Sequence, residues 1–105
     1  MSTRFVDIGA RADFARGSIK AVEVGGRTVA VFDIGGSLFA VADECTHSGG
    51  PLSEGEVEAG VVTCPWHGAR FELSSGRNVG DLKCPAVRAF PIREVGGRVE
   101  IEAAD

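Results

Sequence analysis

A chain of 105 residues, 44% apolar and 25% charged, has the size and mix of one ordinary globular domain, which excludes a disordered or low-complexity protein. Its formal net charge of −4 and pI of about 5.1 exclude a nucleic-acid binder, whose phosphate contacts need a basic face. No apolar run approaches the roughly 20 residues of a membrane span, and Met1-Ser2-Thr3-Arg4-Phe5 lacks the apolar core of a signal peptide, so a cytoplasmic setting with reduced thiols is expected.

The 15 glycines, about twice the usual share, point to a turn-rich all-β chain. Ala10–Arg16 is expected to form a single helical turn. Three Gly-Gly pairs then mark hairpins between β-rich runs. Gly25-Gly26 joins Ile19–Val24 to Arg27–Ile34, and Gly35-Gly36 joins that strand to Leu38–Ala42. Gly96-Gly97 joins Val87–Val95 to Arg98–Glu102, where Val99-Glu100-Ile101-Glu102 alternates apolar and charged faces. The stretch from about Asp43 to Pro85 differs. It holds all three Cys, both His, the only Trp and three of the four Pro. Short strands are expected there at Val61–Thr63 and Arg70–Leu73. The expectation is one domain over 1–105, an antiparallel β base with a loop-rich subdomain inserted at about 43–85.

Two segments in that subdomain carry chemistry: Cys45-Thr46-His47 and Cys64-Pro65-Trp66-His67. Sixteen residues separate His47 from Cys64, a hairpin-length gap, so two loops can clamp one metal centre from both sides. A structural Cys₂His₂ zinc site is one reading. Zinc sets usually pair Cys with Cys and His with His on separate arms, whereas each arm here carries one of each. The mixed arrangement suits a two-iron cluster in which two Cys hold one iron and two His the other. Three cysteines is an odd count, which fits ligands better than disulfides and leaves Cys84 over.

On these residues the chain resembles a Rieske-type [2Fe–2S] ferredoxin, of the low-potential class that serves aromatic-ring-hydroxylating dioxygenase systems. The likeness runs over essentially the whole length. It includes Gly49-Gly50-Pro51-Leu52 after the first arm, Gly68 after the second, and Cys84-Pro85-Ala86 ahead of Phe90-Pro91. The resemblance implies a Rieske-like antiparallel β-sandwich base and one [2Fe–2S] cluster held by Cys45, His47, Cys64 and His67, with both imidazoles near the surface. It implies a soluble one-electron carrier rather than an enzyme, with an NADH-dependent flavoprotein reductase as donor and a terminal oxygenase as acceptor. The small Rieske subunit of an assimilatory nitrite reductase, or a ferredoxin associated with iron–sulfur assembly, shares the fold and stays open at this point. An oxygenase would need a second iron held by two His and a carboxylate. No His remains outside the two arms, and only 38 residues follow His67.

High-potential relatives carry two further cysteines and direct a Ser and a Tyr hydroxyl at the cluster sulfurs. Gly50, Trp66, Ala69 and Phe71 stand at those positions here. Donors to sulfur stabilise the reduced form, so a midpoint near about −150 mV is expected, at the low end of the Rieske range. Gly49, Gly50 and Gly68 are expected to bring backbone N–H groups to the sulfides, Cys84 to pack near the cluster, and Pro85 to stiffen a covering loop. Residues 28–69 hold Asp33, Asp43, Glu44, Glu54, Glu56 and Glu58 and no Lys or Arg, which predicts an acidic cluster end and a basic partner surface.

Overall fold

Each of the three Gly-Gly pairs has positive φ at both residues, from 57° to 94°, the backbone a two-residue type I′ hairpin demands. They place β2 (Ile19–Val24), β3 (Arg27–Ile34) and β4 (Ser37–Ala42) as an antiparallel meander, and β9 (Ile92–Val95) against β10 (Arg98–Ala104). The computed structural model describes residues 3–104. Two further strands complete it, one ahead of β2 and one just before β9. β1 (Thr3–Ala10) pairs with β10, and β8 (Ala89–Phe90) pairs with β4. The base is therefore a three-stranded sheet in the order β1-β10-β9 and a four-stranded sheet in the order β2-β3-β4-β8.

The run Val87–Val95 was expected to be one strand, and it is two. Pro91 stands between β8 and β9 and has no N–H to give a ladder, so pairing stops and the chain passes from one sheet to the other. The helical turn expected over Ala10–Arg16 is a 3₁₀ turn at Arg11–Asp13. Between β4 and β8 lies a third sheet, the meander β5 (Glu56–Glu58), β6 (Val61–Thr63) and β7 (Arg70–Glu72).

The four-stranded sheet is the middle layer, and β3 shows it. Val29 and Val31 point to one face, packing with Phe14, Val24, Ala40, Phe90, Val99 and Ile101 between the two base sheets. Ala30 and Phe32 point to the other, packing with Val41, Leu52, Val62, Phe71, Leu73 and Val87 under the third sheet. A strand covered on both faces reads as a continuous apolar run because neither period-2 face meets water. Cys45, Cys64 and Ala69 belong to this second core, so the arms start from packed ground.

At the end of the sandwich, Arg11 ties the layers. Its guanidinium lies 2.5 Å from Asp33 Oδ2, whose side chain is wholly buried, and donates to the carbonyls of Phe14 and Gly36. Its Nε lies 3.5 Å from Glu94 of β9. The N–H groups of Gly17 and Gly36 donate to Asp33 Oδ1. The Arg11 guanidinium holds the Asp33 carboxyl below its ordinary pKa, against the opposing effect of burial. Removing the cation alone leaves a buried charge, so Arg11→Ala should cost about 3 kcal/mol at neutral pH, measured by chemical unfolding. Because the folded-state pKa of Asp33 is depressed, the stability it contributes is complete above the ordinary carboxyl value of about 4 and is lost as pH falls through the folded one. The gap between wild type and Arg11→Ala should thus narrow in acid; an equal gap at neutral and acid pH would contradict the pairing.

Candidate metal centre

Each candidate arm is a six-residue loop closed by the same two hydrogen bonds. In the first, flanked by the antiparallel bridge Glu44–Pro51, Cys45 N–H donates to Gly50 O at 2.9 Å and Gly49 N–H to Cys45 O at 2.7 Å. In the second, flanked by the β6–β7 pair Thr63–Arg70, Cys64 N–H donates to Ala69 O at 2.7 Å and Gly68 N–H to Cys64 O at 3.1 Å. The fifth residue takes φ of 78° at Gly49 and 80° at Gly68, which glycine adopts without a Cβ penalty. The loops differ in one respect. His47 is third in its arm and His67 fourth.

This shared turn buries the first residue and exposes the imidazoles. Cys45 and Cys64 are both buried and free of disulfides, while His47 and His67 face solvent with ring centroids 5.5 Å apart and planes at 78°. Two buried thiols with two exposed imidazoles beside them form a donor set that fits a [2Fe–2S] cluster holding two protein ligands per iron. Among the described residues, no three His, Cys, Asp or Glu side chains are grouped as they would be around a single ion.

The first arm packs around the sulfur of the second. Ser48 Oγ lies 3.6 Å from Cys64 Sγ. A methyl group at Gly50 would come within 3.0 Å of that sulfur and 2.9 Å of the Trp66 ring. Burial pushes the Cys64 thiol up, but the N–H of Trp66, the Ser48 hydroxyl, the Cys45 thiol and the N–H of His67 outweigh it, leaving the thiol below its ordinary value. The backbone N–H groups that lower this thiol are those of Trp66 and His67. Those of Gly49 and Gly68, expected to serve sulfur, are spent closing the turns. Gly50 serves by close approach, its carbonyl closing the first turn.

Asp43 and Asn78 frame the arms. The Asp43 carboxylate accepts from Ser53 N–H at 2.6 Å, and its carbonyl accepts from Leu52 N–H at 2.7 Å, fixing the base of the first arm. Asn78 Nδ2 donates to Leu82 O and Cys84 O at 2.7 and 3.1 Å, while its Oδ1 accepts from Gly80 N–H. That shapes the Pro85 loop, which meets the first arm where Thr46 Oγ1 donates to Pro85 O at 2.5 Å. Cys84 is half-buried against the core, with its sulfur 3.5 Å from the Asn78 amide. Nothing in the spacing marked Ser48, Asp43 or Asn78, although Asn-Val-Gly is a sequence suited to an Asx turn.

The tip around the imidazoles is apolar. Trp66 is 58% exposed, Pro65 beside it is exposed, and so are Pro85 and Ala86 of the loop that meets the first arm at Thr46. The acidic end expected from residues 28–69 is reduced. Asp33 and Asp43 are buried, leaving Glu44, Glu54, Glu56 and Glu58 exposed, and exposed Arg70, Lys83 and Arg88 lie on the segments that complete the site. The charges there have both signs.

Residues 4–91 match the Rieske [2Fe–2S] domain family, and the chain belongs to it. It is 39% identical over 94 residues to the anthranilate 1,2-dioxygenase ferredoxin subunit of Burkholderia cepacia, covering 90% of this chain and 87% of that one. The fold superposes on the ferredoxin of carbazole 1,9a-dioxygenase from Nocardioides aromaticivorans IC177 with a TM-score of 0.86 and 25% identity, covering 92% and 95% of the two chains. It matches a chain in a complex of reduced oxygenase and oxidized ferredoxin of carbazole 1,9a-dioxygenase at TM-score 0.84 and 30% identity, covering 92% and 91%. As a Rieske ferredoxin the protein is an electron carrier with one [2Fe–2S] cluster, and among the described residues no helix is long and apolar enough to cross a membrane.

The fit of Gly50 against Cys64 and Trp66 can be tested directly. Gly50→Ala should destabilise the protein by about 1–3 kcal/mol through overpacking, read from chemical unfolding. Unchanged stability would mean the two arms do not touch at this point.

Proposed function

We propose that Cys45 and Cys64 hold one iron of the [2Fe–2S] cluster and His47 and His67 the other. We further propose that the chain is the ferredoxin component of an aromatic-ring-hydroxylating dioxygenase system. In that role it takes electrons one at a time from an NADH-dependent flavoprotein reductase and delivers them to a terminal oxygenase, in the cytoplasm. The whole chain is then one Rieske domain, with 43–85 as its cluster-binding part.

The observation that carries this reading is the split within the two matched loops, thiols inward and imidazoles outward. When bound, the cluster supplies one-electron redox chemistry within the Rieske range of potentials. The chain does the rest. Cys45 and Cys64 lie in the second core, away from water. His47 and His67 bring the redox centre to an open surface, so a partner needs no conformational opening to approach it. Trp66, Pro65 and Pro85 surround that point with apolar area, the composition of an interface core. A carrier that must visit two partners in turn needs contacts that release, in the range below about 1,200 Å². The named relatives support the partner assignment, since one is a dioxygenase ferredoxin subunit and another lies in a complex with its oxygenase.

Iron and acid-labile sulfide analysis should give about two of each per chain with negligible zinc. Cys45→Ser and Cys64→Ser should lose the cluster absorption, whereas Cys84→Ser should keep it, because Cys84 meets the Asn78 amide outside both loops. A colourless stoichiometric zinc protein, or a Cys84→Ser variant that alone loses the cluster, would overturn the assignment.

A further inference from the structure

We propose that Ser48 sets the redox potential of this carrier, by donating its hydroxyl hydrogen bond across the site to the Cys64 sulfur. The inference rests on the ligand reading above and assigns a new role to a residue that is not itself a ligand.

Ser48 belongs to the first arm and Cys64 to the second, so the 3.6 Å contact spans the site rather than one loop. Between two neutral side chains either atom can be the donor. A metal-bound cysteine has lost its proton, so only the hydroxyl can then donate. The geometry holds the serine in place. It stands between His47 and Gly49, whose N–H closes the turn on Cys45 O, and Gly50 beside it keeps the approach to Cys64 Sγ open.

Other hydroxyls near the site are committed or missing. Thr46 Oγ1 donates to Pro85 O. Ala69 and Phe71, where a hydroxyl would face the site in high-potential relatives, are buried without one. Ser48 is, among the described residues, the hydroxyl that reaches a buried thiol. The backbone N–H groups of Trp66 and His67 also favour the Cys64 thiolate, but they belong to the backbone and no side-chain substitution removes them. The serine hydroxyl is a side-chain choice, and so can be varied without altering the loop.

Its direction of action follows from charge. Reduction adds one negative charge, part of which resides on the sulfurs. A donor to sulfur therefore gains more in the reduced state than in the oxidised one and raises the midpoint. Removing it lowers the midpoint. The low potential expected from Ala69 and Phe71 alone leaves this donor out, and the true value lies above what those two positions imply.

The test compares the holoprotein with Ser48→Ala, Ser48→Val and Ser48→Thr by cluster content, visible spectrum and voltammetric midpoint. Threonine keeps the hydroxyl and valine matches its shape without it. With clusters intact, the midpoint should fall in Ala and Val and return toward wild type in Thr. Equal midpoints in all four proteins, or a fall in Thr as large as in Val, would overturn the proposal. Should Ala and Val both lose the cluster, Ser48→Gly replaces them, with a lowered midpoint again expected. Loss of the cluster in all three hydroxyl-free variants but not in Thr would also overturn it, because the hydroxyl would then serve assembly. Wild-type protein without iron and sulfide would instead defeat the ligand reading, a separate outcome.

Discussion

A cysteine that serves a redox centre must lie out of water, while a histidine serving the same centre must reach a surface where electrons can leave. Both loops of this protein meet that constraint with the same backbone solution. The N–H and C=O of the leading cysteine are tied back to residues six and five of the loop, at Gly50 and Gly49 in one and at Ala69 and Gly68 in the other. The closure turns the thiol into the core and leaves the imidazole outside. Buried backbone groups that would otherwise be orphaned are satisfied in the same act.

The sheets serve this arrangement. β6 and β7 give the second loop its two ends, and the first hangs from β4 through Asp43, whose N–H donates to Thr28 O of the neighbouring β3. Both loops therefore start from the face of the middle sheet that carries Ala30 and Phe32. The opposite face is occupied by the β1-β10-β9 sheet, with Arg11 and Asp33 closing one end. Functional and structural polar groups are thus separated. The buried ion pair lies away from the loops, and the polar groups gathered around Cys64 are N–H and hydroxyl donors. Donors suit a sulfur that will carry negative charge; a carboxylate there would oppose reduction.

Much of this was legible in the residues. The Gly-Gly pairs identified three hairpins because a type I′ turn has few other solutions, and strands Ile19–Val24 and Arg27–Ile34 have the expected limits. The pattern of one Cys and one His per arm pointed to the correct family. What was missed depends on the third dimension or on segments with little pattern. β5 is three residues with a single apolar side chain, and β1 is interrupted by a bulge between Asp7 and Gly9. Pro91 divides Val87–Val95 because it has no N–H for a ladder, and the apolar pattern runs on through it. Ser48 meets Cys64 across 16 positions and Thr46 meets Pro85 across 39, distances at which sequence spacing says nothing of contact. The acidic count over residues 28–69 overstated the exposed charge for the same reason: Asp33 is buried against Arg11, which lies outside that window, and Asp43 turns inward to Ser53.

The central claim is that two imidazoles and two thiolates, one of each per loop, bind a single two-iron cluster. Electron nuclear double resonance on the dithionite-reduced protein tests it most directly. The account predicts a Rieske-type signal with strong hyperfine coupling to two distinct nitrogens, both lost when the imidazole nitrogens are replaced by ¹⁵N and reappearing with the ¹⁵N pattern. A reduced cluster with no strongly coupled nitrogen, as four thiolates would give, or with only one, would contradict it.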